Sequence, residues 1–235
     1  MDVFGDAVFD YQQGRYTEDL ITFSSIAEED VIPLPYLFRD FKAMPILEQK
    51  ALNICNGKVL DIGSGAGSHS LYLQKKGMDV TALDSSKGAL KTCKLRGIKN
   101  CVHADILDFE GEQFDTLLML MNGIGLAGEL KNLSKFFTHL KKLLRPNGQI
   151  LLDSSDIIYL FDEDEDGGRW LPESAKYYGE VSFTLSYKGL KGKPFSWLYL
   201  DQNTLHSAAL SNGFNCEIVS LGEHYDYLAR LIASK

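Results

Sequence analysis

At 235 residues and 45% hydrophobic content, the chain can bury a full core as one large domain with no disulfide or metal to hold it. A formal net charge of -8 repels phosphate backbones, which counts against a nucleic-acid acceptor. Cys55, Cys93, Cys101 and Cys216 show no CxxC spacing, the first residues lack the pattern of a secretory leader, and no apolar run nears the ~20 residues of a membrane span. A reduced, cytoplasmic protein without membrane contact is expected.

Residues from about 7 to 53 carry helical periodicity interrupted by Pro33, Pro35 and Pro45, each expected to end or bend a helix. Two or three short helices across 1–57 therefore precede a main domain at 58–235. From Lys58 the pattern alternates. Short apolar runs at 58–62, 79–84, 100–103, 114–121 and 149–154 are separated by amphipathic stretches at about 67–76, 87–95 and 130–144. Strand and helix in repetition imply right-handed crossovers and a mostly parallel sheet with helices on both faces, a doubly wound α/β fold. Gly77, Gly97 and Gly148 each follow a helical stretch and are expected to supply its left-handed stop. Lys75, Lys76, Lys87, Lys91, Lys94 and Arg96 look like one solvated helix face.

Beyond Ser155 lies an aromatic insertion at about 156–200, with alternating pieces at about 179–187 and 195–200. A helix at about 202–212 follows. Strands at about 214–221 and 225–232 flank the short turn Gly222-Glu223-His224 and should pair as an antiparallel hairpin, completing seven strands.

The chemistry concentrates in Val59-Leu60-Asp61-Ile62-Gly63-Ser64-Gly65-Ala66-Gly67, with Asp84 ending the next apolar run. Alternate glycines after a strand let backbone approach a ligand with no Cβ in the way, and a carboxylate one strand later suits a ribose diol. A dinucleotide fingerprint needs Gly or Ala at the position held by Ser68, so a nucleoside without pyrophosphate fits better. Asp61 would repel a diphosphate but receive an ammonium, and S-adenosylmethionine carries both an adenosine and an ammonium.

With His103-Ala104-Asp105-Ile106, Phe114-Asp115-Thr116-Leu117-Leu118 and Leu144-Arg145-Pro146-Asn147-Gly148-Gln149-Ile150-Leu151, these motifs resemble the class I S-adenosylmethionine-dependent methyltransferases, in order over about residues 58–155. The resemblance implies a Rossmann-like fold and S-adenosylmethionine as methyl donor. Gly63, Gly65 and Gly67 would underlie its methionine portion, Asp84 with Ser85 its ribose, and Asp105 and Ile106 its adenine. Asp84 and Asp105 could each instead cap a following helix or turn.

Met121 and Asn122 stand where this family faces cofactor and substrate, although Asn122 could equally satisfy its own turn. Gly123-Ile124-Gly125 departs from the Pro-Pro-Tyr that follows in members methylating amide nitrogens. Small-molecule members often fold N-terminal helices into a lid, which makes Arg39 a candidate for the methionine carboxylate and Tyr36 or Tyr11 for the methyl site. Packing and surface roles compete for all three. Within the insertion, Trp170 and Tyr178 are candidates to roof the acceptor pocket.

No nucleophile with base and orienter stands out, so no catalytic residue is assigned, and Asp153 and His206 are weak base candidates. His69 is expected to be satisfied locally at a helix start. The run from Asp162 to Glu173 satisfies an EF-hand loop pattern, but Arg169, Pro172 and the single copy favour a solvated acidic loop, and no metal site is expected. The expected function is methyl transfer from S-adenosylmethionine to a small-molecule acceptor, with non-catalytic binding of that nucleoside as the alternative.

Overall fold

In the computed structural model, which describes residues 1–26, 29–162, 169 and 177–234, the first element is helix α1 (Val3–Gln12). Strands β1 (Leu20–Ser24) and β2 (Asp30–Ile32) follow, then helices α2 (Leu34–Leu37) and α3 (Ile46–Ile54). The expected short helices are present, and the two strands between them are what helical periodicity missed. Leu20-Ile21-Thr22-Phe23 is rich in β-branched and aromatic residues and pairs with strands far along the chain. The prolines open helices instead of ending them. Pro33 and Pro45 hold the N-cap positions of α2 and α3, where a missing amide donor costs nothing.

The alternating segment gives β3 (Lys58–Ile62), α4 (Ser68–Lys75), β4 (Asp79–Asp84), α5 (Lys87–Leu95) and β5 (Asn100–His103). It continues as β6 (Phe114–Met119), α6 (Leu133–Lys142) and β7 (Leu144–Ser155). The insertion contributes β8 (Glu180–Tyr187), β9 (Leu190–Lys191) and β10 (Phe195–Leu198). Helix α7 (Gln202–Ser211) and strands β11 (Phe214–Leu221) and β12 (Asp226–Ala233) close the chain.

Seven strands form one sheet in the order β11-β12-β7-β6-β3-β4-β5. It is parallel from β5 to β7 and antiparallel across β12 and β11, the expected hairpin. Successive side chains on the central strands go to opposite cores, as a sheet covered on both faces requires. Leu60, Leu117 and Ile150 pack with Phe136 and Phe137 of α6 and Leu205 of α7. Their neighbours Val59, Leu118 and Leu151 pack with Leu47 and Leu52 of α3 and Leu73 of α4.

A second sheet, in the order β10-β8-β1-β2 with β9 on β8, joins the N-terminal segment to the insertion. Gly77 and Gly97 take the expected left-handed conformation, at φ of 87° and 90°. Gly148 does not, because α6 has already ended at Lys142; the left-handed residue there is Asn147, whose short side chain tolerates it.

Gly67 is needed for packing. It caps α4 at φ 81°, and a Cβ there would lie 2.3 Å from Ile98 Cδ1 and 2.8 Å from Cys93 Sγ. Gly67→Ala should cost about 2–4 kcal/mol by urea denaturation, from overpacking plus left-handed strain. Gly77→Ala, where nothing lies within 4 Å of the added methyl, should lose only the strain, about 1–2 kcal/mol.

Candidate active site

Strand order reverses between β3 and β6, and the crevice this opens lies outside the carboxyl ends of the strands. Asp61 near the end of β3, the glycine loop, Asp84 at the end of β4 and Asp153 near the end of β7 all face this region by position. Backbone bonding shapes the loop. The amides of Gly63 and Ser64 donate to the Leu83 carbonyl at 2.9 and 3.1 Å, and the Gly65 amide donates to Asp84 Oδ2 at 2.8 Å. Asp84 Oδ1 accepts from the Ser86 amide at 2.7 Å, while the N-cap of α5 is Ser86 itself. Burial raises the Asp84 pKa against these two amide bonds. Ser85 is exposed beside it, its carbonyl accepting from His103 at 2.9 Å.

Gly63 and Gly65 have left-handed φ angles of 72° and 54°, and the nearest atoms above each belong to side chains. A Cβ on Gly63 would meet Leu126 at 3.4 Å, and one on Gly65 would meet the Phe4 ring of α1 at 3.5 Å. Helix α1 is fixed there by Asp2. Its Oδ1 accepts from the Gly5 amide, and its Oδ2 accepts from the Ser86 hydroxyl and the Gly88 amide, all at 2.9 Å. Arg96 also belongs to this site and not to a solvated face. It donates to the Ala66 carbonyl at 2.6 Å and to Ser68 Oγ at 3.0 Å, because its helix faces the loop from below.

Asp61 is buried, accepts from Ser70 Oγ at 2.6 Å, and has its pKa raised by burial. Asp105 is exposed and caps the turn Ile106–Asp108 through the Leu107 amide at 2.9 Å, with Ile106 buried behind it. That capping role leaves the second carboxylate oxygen uninvolved in the turn.

Arg39 is turned onto a protein carboxylate that the sequence did not single out. Its Nη2 pairs with Glu48, each side chain 5% exposed, and its Nη1 donates to the Tyr36 carbonyl at 2.5 Å. The guanidinium lies 3.8 Å from the centre of the half-exposed Tyr36 ring, and Nε is buried with no partner among the described residues. Glu48 Oε2 meets His69 Nε2 at 2.7 Å. Burial would raise the Glu48 pKa, but His69 and Arg39 together outweigh it and hold the carboxyl below its ordinary value. A signal was present: Glu48 shares one face of α3 with buried Ala51 and Leu52, an acid inside an apolar stripe.

Met121 and Asn122 adopt left-handed φ angles of 66° and 58°, held by tertiary bonds. The Asp153 carboxylate accepts from the amides of Met121 at 3.1 Å and Gly123 at 3.0 Å. Asn122 donates to the Leu198 carbonyl at 3.1 Å and accepts from Ser154 Oγ at 3.0 Å, so both ends of its amide are spent on protein. Met121 is left 39% exposed. The Tyr178 hydroxyl donates to Asp156 at 2.8 Å. Tyr11 packs against Phe38 at 4.4 Å, and His206 is exposed on α7. Trp170 and most of the acidic run from 162 to 173 lie outside the described residues. Among the described residues no cluster of three or more His, Cys, Asp or Glu could hold a metal ion, and no helix is long and apolar enough to cross a membrane.

A methyltransferase domain model matches residues 60–152. An S-adenosylmethionine-dependent methyltransferase from Bacteroides fragilis, solved in complex with S-adenosyl-L-homocysteine, is 46% identical with a TM-score of 0.93, covering 100% of this chain and 95% of that one. The chain belongs to the S-adenosylmethionine-dependent methyltransferases. This methyltransferase is also 26% identical over 121 residues to a ubiquinone biosynthesis O-methyltransferase of Pasteurella multocida, covering 46% of the chain and 50% of that protein. A 23S rRNA (uracil(747)-C(5))-methyltransferase of Pyrococcus horikoshii matches at 34% over 83 residues, 33% of the chain and 20% of that protein. The methyltransferase thus spans between a fifth and a half of these two curated relatives.

Burial pushes the Asp153 pKa up to about 6. This lies above the ~3.9 of an unfolded aspartate, so the fold favours the protonated form. Its contribution to stability is fully present below about pH 4 and is lost as pH rises to about 6. Carbon-13 NMR should show a carboxyl midpoint near 6, absent in Asp153→Asn; an ordinary midpoint near 4 would contradict the burial argument.

Proposed function

We propose that this methyltransferase transfers a methyl group from S-adenosylmethionine to a small-molecule acceptor in the cytoplasm, and the loop stitched to Asp84 is the observation that carries the reading. The residues fit the donor on two structural grounds. The cradle over Gly63 and Gly65 is bounded by the side chains of Phe4 and Leu126, and the buried Arg39 Nε lacks a partner. When bound, S-adenosylmethionine supplies an electrophilic methyl group on a sulfonium.

Asp84 is the acceptor for ribose hydroxyls, because each of its oxygens takes one amide and retains a second lone pair. Asp105, through the oxygen its turn does not use, and Ile106, through its backbone, are the adenine contacts. Gly63, Gly65 and Gly67 shape the floor beneath the methionine portion, with Asp61 and Arg39 as its polar neighbours. Met121 is a further cofactor contact, and Tyr36 and Tyr178 form the acceptor side. Asn122 is an anchor of that side, given its two protein partners. These groups act by holding reactants in line and excluding water, which in ideal cases supplies about 7–11 kcal/mol of barrier reduction.

A small acceptor is favoured by the net charge of -8 and by α1 packed over the loop. Calorimetry with S-adenosylhomocysteine should give binding that Asp84→Ala weakens about 10- to 100-fold, the worth of charge-assisted hydrogen bonds. No binding by the folded wild type would overturn the donor assignment. In a labelled-methyl assay, small amines and hydroxyl compounds should be modified and RNA should not.

A further inference from the structure

Asp153 is a carboxylate without a cationic partner at the end of β7. Side chains of that strand alternate between the two cores, Leu151 packing with α3 and α4 and Leu152 with α6, so Asp153 points to the α3 and α4 side. Its partner across the ladder to β12, Leu228, packs in that same cluster. Asp61 of β3 follows Leu60 of the α6 core and lies on the same side, with only β6 between the two strands. The glycine loop therefore stands on one side of the end of β6, and Asp153 on the other.

The turn that leaves β6 is bent around this carboxylate. Met121 and Asn122 both take left-handed φ, uncommon for residues with side chains, and the amides of Met121 and Gly123 donate to the two oxygens of Asp153 at 3.1 and 3.0 Å. Each oxygen keeps a second acceptor site. Glu48 is already paired with Arg39 and His69, whereas among the described residues no Lys, Arg or His bonds to Asp153. A carboxylate held by neutral donors alone is incompletely compensated, and a cation bearing N–H groups would complete it. Partial solvent exposure of the residue leaves it within reach of a ligand. Burial and Glu48 of α3 raise its pKa, the two amides and His69 of α4 oppose them, and the result is about 6. Its charge adds to burial in raising the phenols of Tyr36 on α2 and of Tyr199, which follows β10.

We propose that Asp153 receives the methyl acceptor and that this acceptor is an amine, the carboxylate taking an N–H of the attacking nitrogen and facing the positive charge that nitrogen acquires. This rests on the donor assigned above. The amine attacks in its neutral form, the proton of its ammonium having gone to water, and its lone pair forms the N–C bond as the C–S pair returns to sulfur. Positive charge thus moves from sulfur to nitrogen, and a fixed carboxylate beside the nitrogen favours that displacement. A hydroxyl acceptor would instead need a proton removed, a task for which a carboxylate is a weak base.

The test is calorimetric and needs no identified acceptor. Sinefungin carries a protonated primary amine on the carbon that replaces the sulfonium, which puts an ammonium where the methyl group is exchanged, whereas S-adenosylhomocysteine has neither charge nor N–H there. Wild-type protein at about pH 8 should bind sinefungin at least roughly tenfold tighter than S-adenosylhomocysteine, the scale of a charge-assisted hydrogen bond. That preference should shrink at least roughly threefold by about pH 5.5, where Asp153 takes up a proton. In Asp153→Asn it should collapse, while S-adenosylhomocysteine affinity holds within about threefold. Equal affinity of the wild type for the two ligands, or a preference that survives in Asp153→Asn, overturns the proposal. So does an Asp153→Asn variant that weakens both ligands alike, which is the signature of a tie for the Met121 turn alone. If Asp153→Asn does not fold, the wild-type pH series decides, and a preference independent of pH overturns the proposal. Failure of the wild type to bind either ligand removes the donor assignment instead.

Discussion

A loop of alternating glycines has almost no side chains to give it shape, so its backbone amides must be held by something outside it. Here the Leu83 carbonyl takes two of them and the Asp84 carboxylate takes a third, all from the end of the neighbouring strand β4. That registration between β3 and β4 sets where the loop turns and where α4 begins. Gly63 and Gly65 themselves add no Cβ there. Arg96 braces the far side through the Ala66 carbonyl, and Gly67 lets Ile98 and Cys93 close beneath.

Around that loop the fold places most of its awkward groups at one end. Two consecutive left-handed non-glycine residues and a carboxyl whose pKa is raised by burial lie toward the carboxyl ends of the strands, and a buried ion pair joins the segment before α3 to that helix. Each would be costly in isolation and is held by neighbours that belong to other elements. Asp153 and Asn122 together fix the Met121–Asn122 turn to β7 and β10, while Glu48 brings α3 to α4. The N-terminal segment and the insertion after β7, far apart in sequence, share a sheet.

Much of the fold was legible because the period of burial changes visibly along the chain. Runs such as Lys58–Ile62, Asp79–Asp84 and Asn100–His103 are short, apolar and punctuated, so their strand boundaries match the structure to the residue. The first 57 residues were harder. Leu20–Ser24 has no partner nearby except the three-residue β2, and its main partner is Glu180–Tyr187, which no local pattern reveals. Glu48 was overlooked because a single acid on a helix is ordinarily solvated, and only packing against Arg39 and His69 gives it another meaning.

What the sequence by itself determined is the order of strands and helices from Lys58 to Ser155, the glycine loop with its acidic partner and, through them, the methyltransferase family. These depend on local periodicity, on backbone freedom at glycine and on motif spacing, all of which are properties of the chain before it folds. What only the tertiary structure decided is where the charges go. Arg39 turns to Glu48, Asn122 is spent as an anchor, Arg96 leaves the solvent for the loop, and α1 is pinned by Asp2 over Gly65. Those outcomes depend on which groups lose water together, and that is set by contacts between residues far apart in the chain.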